Sequence, residues 1–310
     1  MALGLTLLAA PAGAQVAPPP PPPPPLIPPA QIDNTLEVAG APVRVRVTNS
    51  RMTVPVFVNR QGPFRFLIDT GADRSVIGTA VARQLGLELG GMARMHHVAG
   101  STLVGTVTIA SLRVGSNEVI GIQAPALPEE YLGAQGIMGI DALREQLIAM
   151  DFDNRTITIQ DPRSPQRSTM EAGEIVVIGR RRKGQLILTA LQIGPVALDA
   201  VIDTGTQVTI GNTVLLDKLF SSRRRPPATL VNLFSVTGQI VPAQLIVVPQ
   251  ITIGTLIIQN VPIAFVDAPP FRLFGLARRP AVLLGNDVLE SFKRVSLDFR
   301  RRKVRFLLRK

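Results

Sequence analysis

Two short motifs in this chain place an aspartate directly after an apolar run and before the dipeptide Thr-Gly. The first motif runs from Asp69 to Ala72 and the second from Asp203 to Thr206. Two carboxyl groups about 3 Å apart cannot both ionise, so such a pair shares one proton and offers an acid and a base at the same pH. If the fold brings Asp69 and Asp203 together, they can activate a water molecule for the hydrolysis of an amide bond.

The residues that follow each aspartate suit a rigid loop. Thr70 and Thr204 carry hydroxyl groups that can hydrogen-bond across to the opposite loop. Gly71 and Gly205 are expected to permit the tight turn that directs backbone N–H groups at a carboxylate. Both features favour a site in which the two motifs face each other.

The two motifs differ at the residue three positions after the aspartate. Thr206 can offer a hydroxyl group to Asp203, whereas Ala72 offers none to Asp69. A hydrogen bond to the ionised form lowers the pKa of a carboxyl group. The sequence therefore predicts that Asp203 is the more readily ionised partner.

The two motifs belong to an internal duplication that covers most of the chain. Five landmarks recur in the same order, and their separation grows slowly along the chain, as loop insertions would cause. The matched pairs begin at Asp69 and Asp203, Val98 and Val236, Leu112 and Ile251, Ile137 and Leu283, and Asp151 and Asp298. Each aspartate needs its counterpart from the other copy, so the site is expected between the two copies.

The elements that must position these residues are short β-branched strands broken by Gly and Pro. Examples are TVPVFV from Thr53 to Val58 and LIVVPQITI from Leu245 to Ile253. This spacing predicts a mainly β protein. Short helices are predicted after each Gly-x-Asp, at Ala142 to Ile148 and at Val288 to Phe292, where apolar residues recur three and four apart.

Composition divides the chain into five predicted segments. Residues 1–14 are apolar, uncharged and end in small residues, which is typical of a secretory signal peptide, and residues 15–35 form a stiff Pro-rich linker. Residues 36–160 are the first lobe, residues 161–173 an interlobe linker without apolar period, and residues 174–310 the second lobe. The signal predicts export to the periplasm or the medium of a bacterium; the alternative is a disordered cytoplasmic leader.

The paired motifs resemble the aspartic protease superfamily, which includes the pepsin-like enzymes and, still closer, bacterial periplasmic aspartic proteases with retropepsin-like halves. Asp69 to Asp73 resembles the retroviral form of the motif, and Asp203 to Thr206 the form in the C-terminal lobe of pepsin-like enzymes. The resemblance implies an all-β fold of two pseudo-symmetric β-barrel lobes with a cleft between them. It also implies that Asp69 and Asp203 are the catalytic pair. The residues implied to support the active-site loops are Thr70, Gly71, Ala72, Thr204, Gly205 and Thr206.

The resemblance further implies one or two flaps above the cleft. The matched tips carry Val98 and Gly100 in the first half and Val236 and Gly238 in the second, and these four are expected to contact substrate. The substrate would bind extended, as an added β-strand. Neither tip contains the tyrosine of pepsin-like N-terminal flaps, and the single tyrosine, Tyr131, lies elsewhere in the sequence. This difference favours two retropepsin-like flaps.

Other side chains with functional chemistry are few. The chain has no cysteine, which excludes disulfides and thiolate chemistry, and its two histidines, His96 and His97, are adjacent. Neighbours in a strand point to opposite faces, so these two cannot readily chelate one metal, although one of them could face substrate. No metal or cofactor is expected. Asp141 and Asp287 are expected to bond to backbone near the helix starts.

The net charge of +11 lies in the second half of the chain. It is concentrated in three runs, Arg180 to Lys183, Arg223 to Arg225, and Arg300 to Lys310. Such runs are most often solvated, and a weak contact with an anionic envelope surface is their expected functional use. Nucleic acid is not expected as a partner, because aromatic residues that could stack on bases make up only 4% of the chain.

Three functions remain open from the sequence. The first is an exported aspartic endopeptidase that acts on peptides or proteins and needs no dimer, because one chain carries both aspartates. The second is a catalytically idle, protease-like protein that holds a peptide in the same cleft and has a regulatory role. The third is a basic adaptor at the envelope surface.

Overall fold

A computed structural model gives the structure of most of the chain after the leader. It describes residues 43–44, 46–48, 51–115, 117–160, 171, 173–182, 185–220 and 225–309. The predicted signal peptide (1–14), the Pro-rich linker (15–35) and nearly all of the interlobe linker (161–173) lie outside the described residues. Among the helices that are described, none has the length and apolar character needed to cross a membrane.

The first half contributes eleven of the described strands and three short helices. The strands are β1 (Val43–Arg44), β2 (Arg46–Thr48), β3 (Arg51–Val58), β4 (Gln61–Ile68), β5 (Val76–Gly78), β6 (Leu89–His97), β7 (Gly100–Val114), β8 (Asn117–Leu127), β9 (Gly136–Met138), β10 (Leu147–Asp151) and β11 (Thr156–Gln160). The helices are α1 (Thr79–Gln84), α2 (Glu129–Leu132) and α3 (Ile140–Leu143).

The second half repeats this series of elements. Its strands are β12 (Glu174–Ile178), β13 (Arg180–Arg182), β14 (Gln185–Ile193), β15 (Val196–Ile202), β16 (Ile210–Gly211), β17 (Thr229–Phe234), β18 (Ile240–Ile253), β19 (Leu256–Phe265), β20 (Ala281–Leu284), β21 (Phe292–Asp298) and β22 (Lys303–Leu308). Its helices are α4 (Thr213–Leu219), α5 (Pro269–Leu273) and α6 (Asn286–Leu289).

Each half forms an eight-stranded sheet, and the two sheets have the same strand order. The orders are β2-β3-β4-β9-β5-β8-β7-β6 and β13-β14-β15-β20-β16-β19-β18-β17. Additional pairings, β3 with β7 and β14 with β18, curl each sheet back on itself into a barrel. The structure thus confirms the predicted all-β fold of two related lobes.

Period-two alternation drives these strands to fold with one face inward. In β3, the side chains of Val54, Val56 and Val58 are fully buried in the interior of the first lobe. Successive side chains of a strand point to opposite faces, so every second residue can join the core. Burial of each such side chain stabilises the fold by roughly 1.5–3 kcal/mol relative to an exposed one.

A third sheet joins the two halves. Its order is β1-β11-β10-β21-β22-β12, so three strands come from each half, and β10 pairs with β21 at its centre. The register is symmetric about the pair Ala149 and Ser296, with Leu147 opposite Asp298 and Asp151 opposite Arg294. Buried residues from both halves belong to one continuous apolar cluster beneath this sheet. The two lobes therefore share a core as well as a sheet.

The helices after each Gly-x-Asp exist, but their predicted bounds are wrong. The predicted spans were Ala142 to Ile148 and Val288 to Phe292, whereas α3 and α6 each begin two residues earlier and last one turn. Ile148 lies in β10 and Phe292 in β21, where both side chains are buried in the core. Their apolar character belongs to the shared sheet, which the local period could not distinguish from a helix.

Candidate active site

The two aspartates sit at the ends of equivalent strands. Asp69 follows β4 and Asp203 follows β15, and each of these strands pairs in parallel with a short apolar strand, β9 or β20. The backbone N–H of Asp69 donates to the carbonyl oxygen of Met138, and that of Asp203 to Leu284, both at 3.0 Å. The short apolar strands β9 and β20 therefore anchor the start of each loop.

The two carboxyl groups are hydrogen-bonded to each other at the interface between the halves. Asp69 Oδ1 also accepts from the backbone N–H groups of Gly71 at 2.9 Å and Ala72 at 3.0 Å. Asp203 Oδ1 accepts from the backbone N–H of Gly205 at 3.0 Å. Each loop thus turns its own amide groups towards its own carboxyl group.

The environment of the pair keeps a proton on Asp203. Burial raises the pKa of Asp203 well above its ordinary value, and the charge of Asp69 raises it further. Hydrogen bonds from the backbone of Gly205 and Thr206 favour the ionised form, but their effect is smaller. The pair therefore titrates as a unit that holds one shared proton.

The predicted role of the Thr206 hydroxyl is wrong. This group donates to the carbonyl oxygen of Val208 at 3.0 Å, within its own loop, and so does not offer a hydrogen bond to Asp203. The prediction that Asp203 ionises more readily than Asp69 loses this support, and burial and the charge of Asp69 both act against ionisation of Asp203. The sequence shows the Thr206 hydroxyl as a donor, but it does not show that the loop provides the carbonyl oxygen of Val208 as its acceptor.

The two threonines tie the loops together as the sequence suggested they could. Thr70 Oγ1 donates to the carbonyl oxygen of Ile202, and Thr204 Oγ1 to that of Ile68, both at 2.7 Å. Each hydroxyl oxygen also accepts from the backbone N–H of the other threonine, at 3.1 and 3.3 Å. Both side chains are buried, so these bonds form a closed network across the interface.

Gly71 and Gly205 serve the site through the space they leave rather than through an unusual turn. Neither has a positive φ, so the conformational reason given for them above is wrong. A Cβ built at Gly71 would lie 2.5 Å from Cγ of Asp203, and one at Gly205 would overlap the carboxyl group of Asp69. Each glycine therefore lets the opposite carboxyl group approach its own.

A second layer of polar contacts supports both loops. Ser75 Oγ donates to Asp141 at 2.7 Å and accepts from the N–H of Gly139 at 3.1 Å. Thr209 makes the same two contacts in the second half, donating to Asp287 at 2.8 Å and accepting from the matching glycine at 3.1 Å. As predicted, both carboxylates also accept backbone N–H groups near the helix starts. They are structural acids outside the reacting pair.

A cleft of about 310 Å³ opens above the two aspartates. Its walls include the tips of two hairpins, the first flap (residues 93–104, from β6 and β7) and the second flap (residues 231–243, from β17 and β18). Val98 and Val236 line the cleft, whereas Gly100 and Gly238 lie at the turns, with φ of 148° and 79°. The apolar part of the remaining lining includes Val76, Met95, Ile137, Val208, Leu233, Leu273, Phe274 and Leu283.

Tyr131 belongs to the cleft, although no local sequence pattern indicates that position. It lies in α2, lines the cleft, and packs its ring against Gly238 of the second flap. The signal that could have found it is the parallel pairing of β8 with β5, because β5 follows the Asp69 loop and α2 follows β8. That pairing connects residues far apart in sequence and leaves no local pattern.

The two histidines take different positions. Both histidines line the cleft. His96 is exposed and can face substrate, whereas His97 is buried and contacts the second flap. Within the described part of the chain, no group of three or more His, Asp or Glu side chains could hold a metal ion.

Comparison with known protein families matches each half separately. Residues 54–145 match the model of the gag-polyprotein putative aspartyl protease family, and residues 189–288 match a family model described as aspartyl protease. Each matched segment includes one Asp-Thr-Gly loop and one flap. No curated protein matches the chain.

Proposed function

We propose that this chain, which belongs through both of its halves to the retropepsin-like aspartic protease superfamily, is an aspartic endopeptidase. One observation carries the proposal: Asp69 and Asp203, one from each half, are hydrogen-bonded to each other beneath an apolar cleft and share one proton. A general base and a general acid are then present at the same pH, next to a space that can hold a peptide.

The reaction follows from the protonation state of the pair. Asp69 accepts a proton from water as the water oxygen attacks the peptide carbonyl carbon, and Asp203 donates its proton to the carbonyl oxygen. The resulting gem-diol is neutral, and the shared proton is now on Asp69. Transfer of that proton to the amide nitrogen breaks the C–N bond, while a gem-diol hydroxyl returns a proton to Asp203. The products are a carboxylic acid and an amine, and the pair is restored.

The substrate is a peptide or protein segment in extended conformation. Flap strands beside the cleft can add its main chain as a further β-strand, which accounts for binding without a particular sequence. Apolar walls around Val98, Val236 and Phe274 favour apolar side chains on either side of the scissile bond. The reaction uses no metal and no cofactor.

The setting of the enzyme is inferred from the sequence. The apolar, uncharged segment 1–14 supports export to the periplasm or the medium of a bacterium. Both aspartates come from one chain, which supports activity as a monomer. A weak contact of the basic runs with an anionic envelope surface is part of the proposal.

Substitution of either aspartate tests the proposal. Asp69→Asn removes the base and Asp203→Asn removes the acid, so each variant is expected to lose at least 1,000-fold in kcat, on the order of what loss of a general acid or base costs. The measurement is cleavage of a peptide library between pH 3 and 8, with far-UV circular dichroism to show that both variants fold. A statine-type inhibitor should block the wild-type protein.

Asp73→Asn is the matched control, because Asp73 lines the cleft close to Asp69 but makes no contact with Asp203 in the network described above. It should retain turnover within about tenfold of wild type, the scale of a contact worth about 1.4 kcal/mol. Peptide binding without cleavage at any pH in this range would instead support the idle, peptide-holding alternative.

A further inference from the structure

The two flaps are joined by a polar cluster. His97 of the first flap faces Ser235 of the second, with Nδ1 and Oγ 3.0 Å apart. Ser235 Oγ is 2.7 Å from Thr237 Oγ1, which lies 3.4 Å from His97 Nε2. Thr102, on the returning strand of the first flap, is 3.0 Å from the same Nε2. Both ring nitrogens of His97 therefore have hydroxyl partners.

This cluster is part of the interior. His97 is 5% exposed and Ser235 is 2% exposed, although both sit near hairpin tips, which are usually solvated. Buried polar groups that lose a partner are costly, so opening one flap alone would break hydrogen bonds on both flaps.

The contact follows the internal symmetry of the chain. His97 directly precedes Val98 and Ser235 directly precedes Val236, so the two residues occupy equivalent positions in the duplicated flaps. The two valines also contact the opposite half. Val98 packs against an apolar cluster of the second half, and Val236 packs against one of the first half. Each flap is thus held by the opposite half.

We propose that His97 is a positioning residue that, with Ser235 and Thr237, latches the two flaps to each other above the cleft. The consequence for catalysis rests on the proposed function, because a latched pair of flaps opens and closes over substrate as one unit. The latch itself is a property of the flaps and needs no turnover to be observed.

Titration of the His97 ring makes the latch sensitive to pH. Burial lowers the pKa of His97, and the neighbouring His96 lowers it further. The second flap presents only hydroxyl groups to the ring, and β7 presents Thr102. Helix α5 packs on β6 and carries one charged residue, Arg272, which is exposed. Strand β8 also carries one charged residue, Glu118, and it pairs with β7 at the end of the hairpin far from His97.

The sign of the effect follows from linkage. Opening the flaps returns His97 to water, where its pKa rises towards the ordinary value of about 6.5. Protons therefore bind the open form more tightly than the closed form. The latch is at full strength above about pH 6.5 and weakens as the pH falls below that value.

Hydrogen exchange of the full chain, read by mass spectrometry, tests the latch. Ser235→Ala leaves the first flap unchanged in sequence but removes its partner, so exchange protection should fall about fivefold in residues 93–104 as well as in 231–243. His96→Ala, on the same strand but without a bond to the second flap, should leave protection of 231–243 unchanged. Loss of protection confined to 231–243 in Ser235→Ala would overturn the proposal.

A second pair of variants distinguishes the hydrogen bonds of the latch from the protonation of His97. Protection of both flaps in wild type, corrected for intrinsic exchange, should fall between pH 7.5 and pH 5 by threefold to about thirtyfold, the upper bound set by an ordinary histidine. His97→Asn keeps a hydrogen-bonding amide near Nδ1 but does not titrate, so its protection should not change with pH. His97→Ala should lack the protection at both pH values. An equal pH dependence in wild type and His97→Asn would overturn the role of His97, because the carboxyl pair is the same in both proteins.

Failure of this test and failure of the proposed function are distinguishable. The exchange measurement reports the flaps whether or not peptides are cleaved, and the Asp69 and Asp203 variants report cleavage whether or not the flaps are latched. If the flaps were coupled but the protein had no peptidase activity, the latch proposal would stand and the proposed function would be rejected.

Discussion

Gly71 illustrates how a residue without a side chain can determine the geometry of the carboxyl pair that we propose to be catalytic. Its α-carbon lies so close to Asp203 that an added methyl group must displace that carboxyl group. We predict that Gly71→Ala lowers kcat by about 100-fold, since misplacement of a reacting group by about 1 Å has that effect. Steady-state kinetics with a cleaved peptide would measure it.

Gly105→Ala is the matched control for this substitution. Gly105 lies in β7, and a Cβ built there meets no atom within 4 Å. Its kcat should equal that of wild type. A Gly71→Ala enzyme with unchanged kcat would show that the carboxyl pair tolerates a displacement and that close approach of the loops is not required.

The raised pKa of Asp203 also predicts how stability depends on pH. The folded chain keeps a proton on Asp203 that the unfolded chain releases above about pH 3.9, so wild type loses stability as the pH rises through that window towards the raised pKa. Asp203→Asn has no such loss. Its Tm should exceed that of wild type by a few degrees at pH 8 and by much less at pH 4.

Calorimetric scans of both proteins across this range would measure the difference. Asp267→Asn removes an exposed carboxyl group and should show no such trend. A Tm difference that stayed constant with pH would mean that Asp203 is ionised in the folded protein.

At the scale of single residues, the sequence singled out the two aspartates that the fold brings together, but it did not predict their surroundings. The duplicated motif was sufficient to single out Asp69 and Asp203, because the same residues recur after equivalent strands. The acceptor of the Thr206 hydroxyl and the contact of Tyr131 with Gly238 depend on loop geometry and on strands distant in sequence. Neither leaves a periodic signal.

The helix starts behind the loops matter because they fix each loop to its apolar strand. Thr209 is fully buried, and its hydroxyl group connects Asp287 to the N–H of Gly285. Thr209→Val leaves both of those groups without this partner, so we predict a loss of about 2–3 kcal/mol in the free energy of unfolding. Urea denaturation would measure the loss.

The first half provides the control for this element. Ser75 makes the equivalent contacts there with a serine hydroxyl, so Thr209→Ser should stay within about 1 kcal/mol of wild type. If Thr209→Ser were as destabilised as Thr209→Val, packing of the methyl group would be the important contribution and the hydroxyl network would not.

Local patterns predicted strands better than they predicted the pairing between them. The short β-branched run from Thr53 to Val58 marked β3 correctly, and Val54, Val56 and Val58 enter the core. The closing pair of β3 with β7 and the central pair of β10 with β21 join strands far apart in the chain. Such pairings depend on the packing of the whole lobe, and the spurious helix ends at Ile148 and Phe292 came from the same limitation.

The net charge of the whole molecule is less available to partners than its value suggests. Each basic run has at least one member in an ion pair: Arg181 with Glu145, Arg225 with Asp217, and Arg301 with Asp298. The first two pairs are partly exposed and contribute little to stability, whereas Asp298 in the third pair is buried. All three pairs reduce the local field of the basic runs. None of the described residues in these runs lines the cleft, so the charge of +11 is separate from the proposed chemistry.

The shared sheet and core join the two halves, so we expect the halves to unfold as a single unit. Ile148 of β10 is fully buried and faces Leu297 of β21, within an apolar cluster that extends into both lobes. We predict that Ile148→Ala costs about 2–5 kcal/mol and lowers the urea midpoint of both halves together. Hydrogen exchange of β3 and β14 at increasing urea would report the stability of each lobe separately. Thr108→Ala, at an exposed position on β7, is the control and should change the free energy of unfolding of neither lobe by more than about 0.5 kcal/mol. Two separate transitions, or a loss confined to β3, would show that each lobe folds alone and that the site forms only when finished lobes dock.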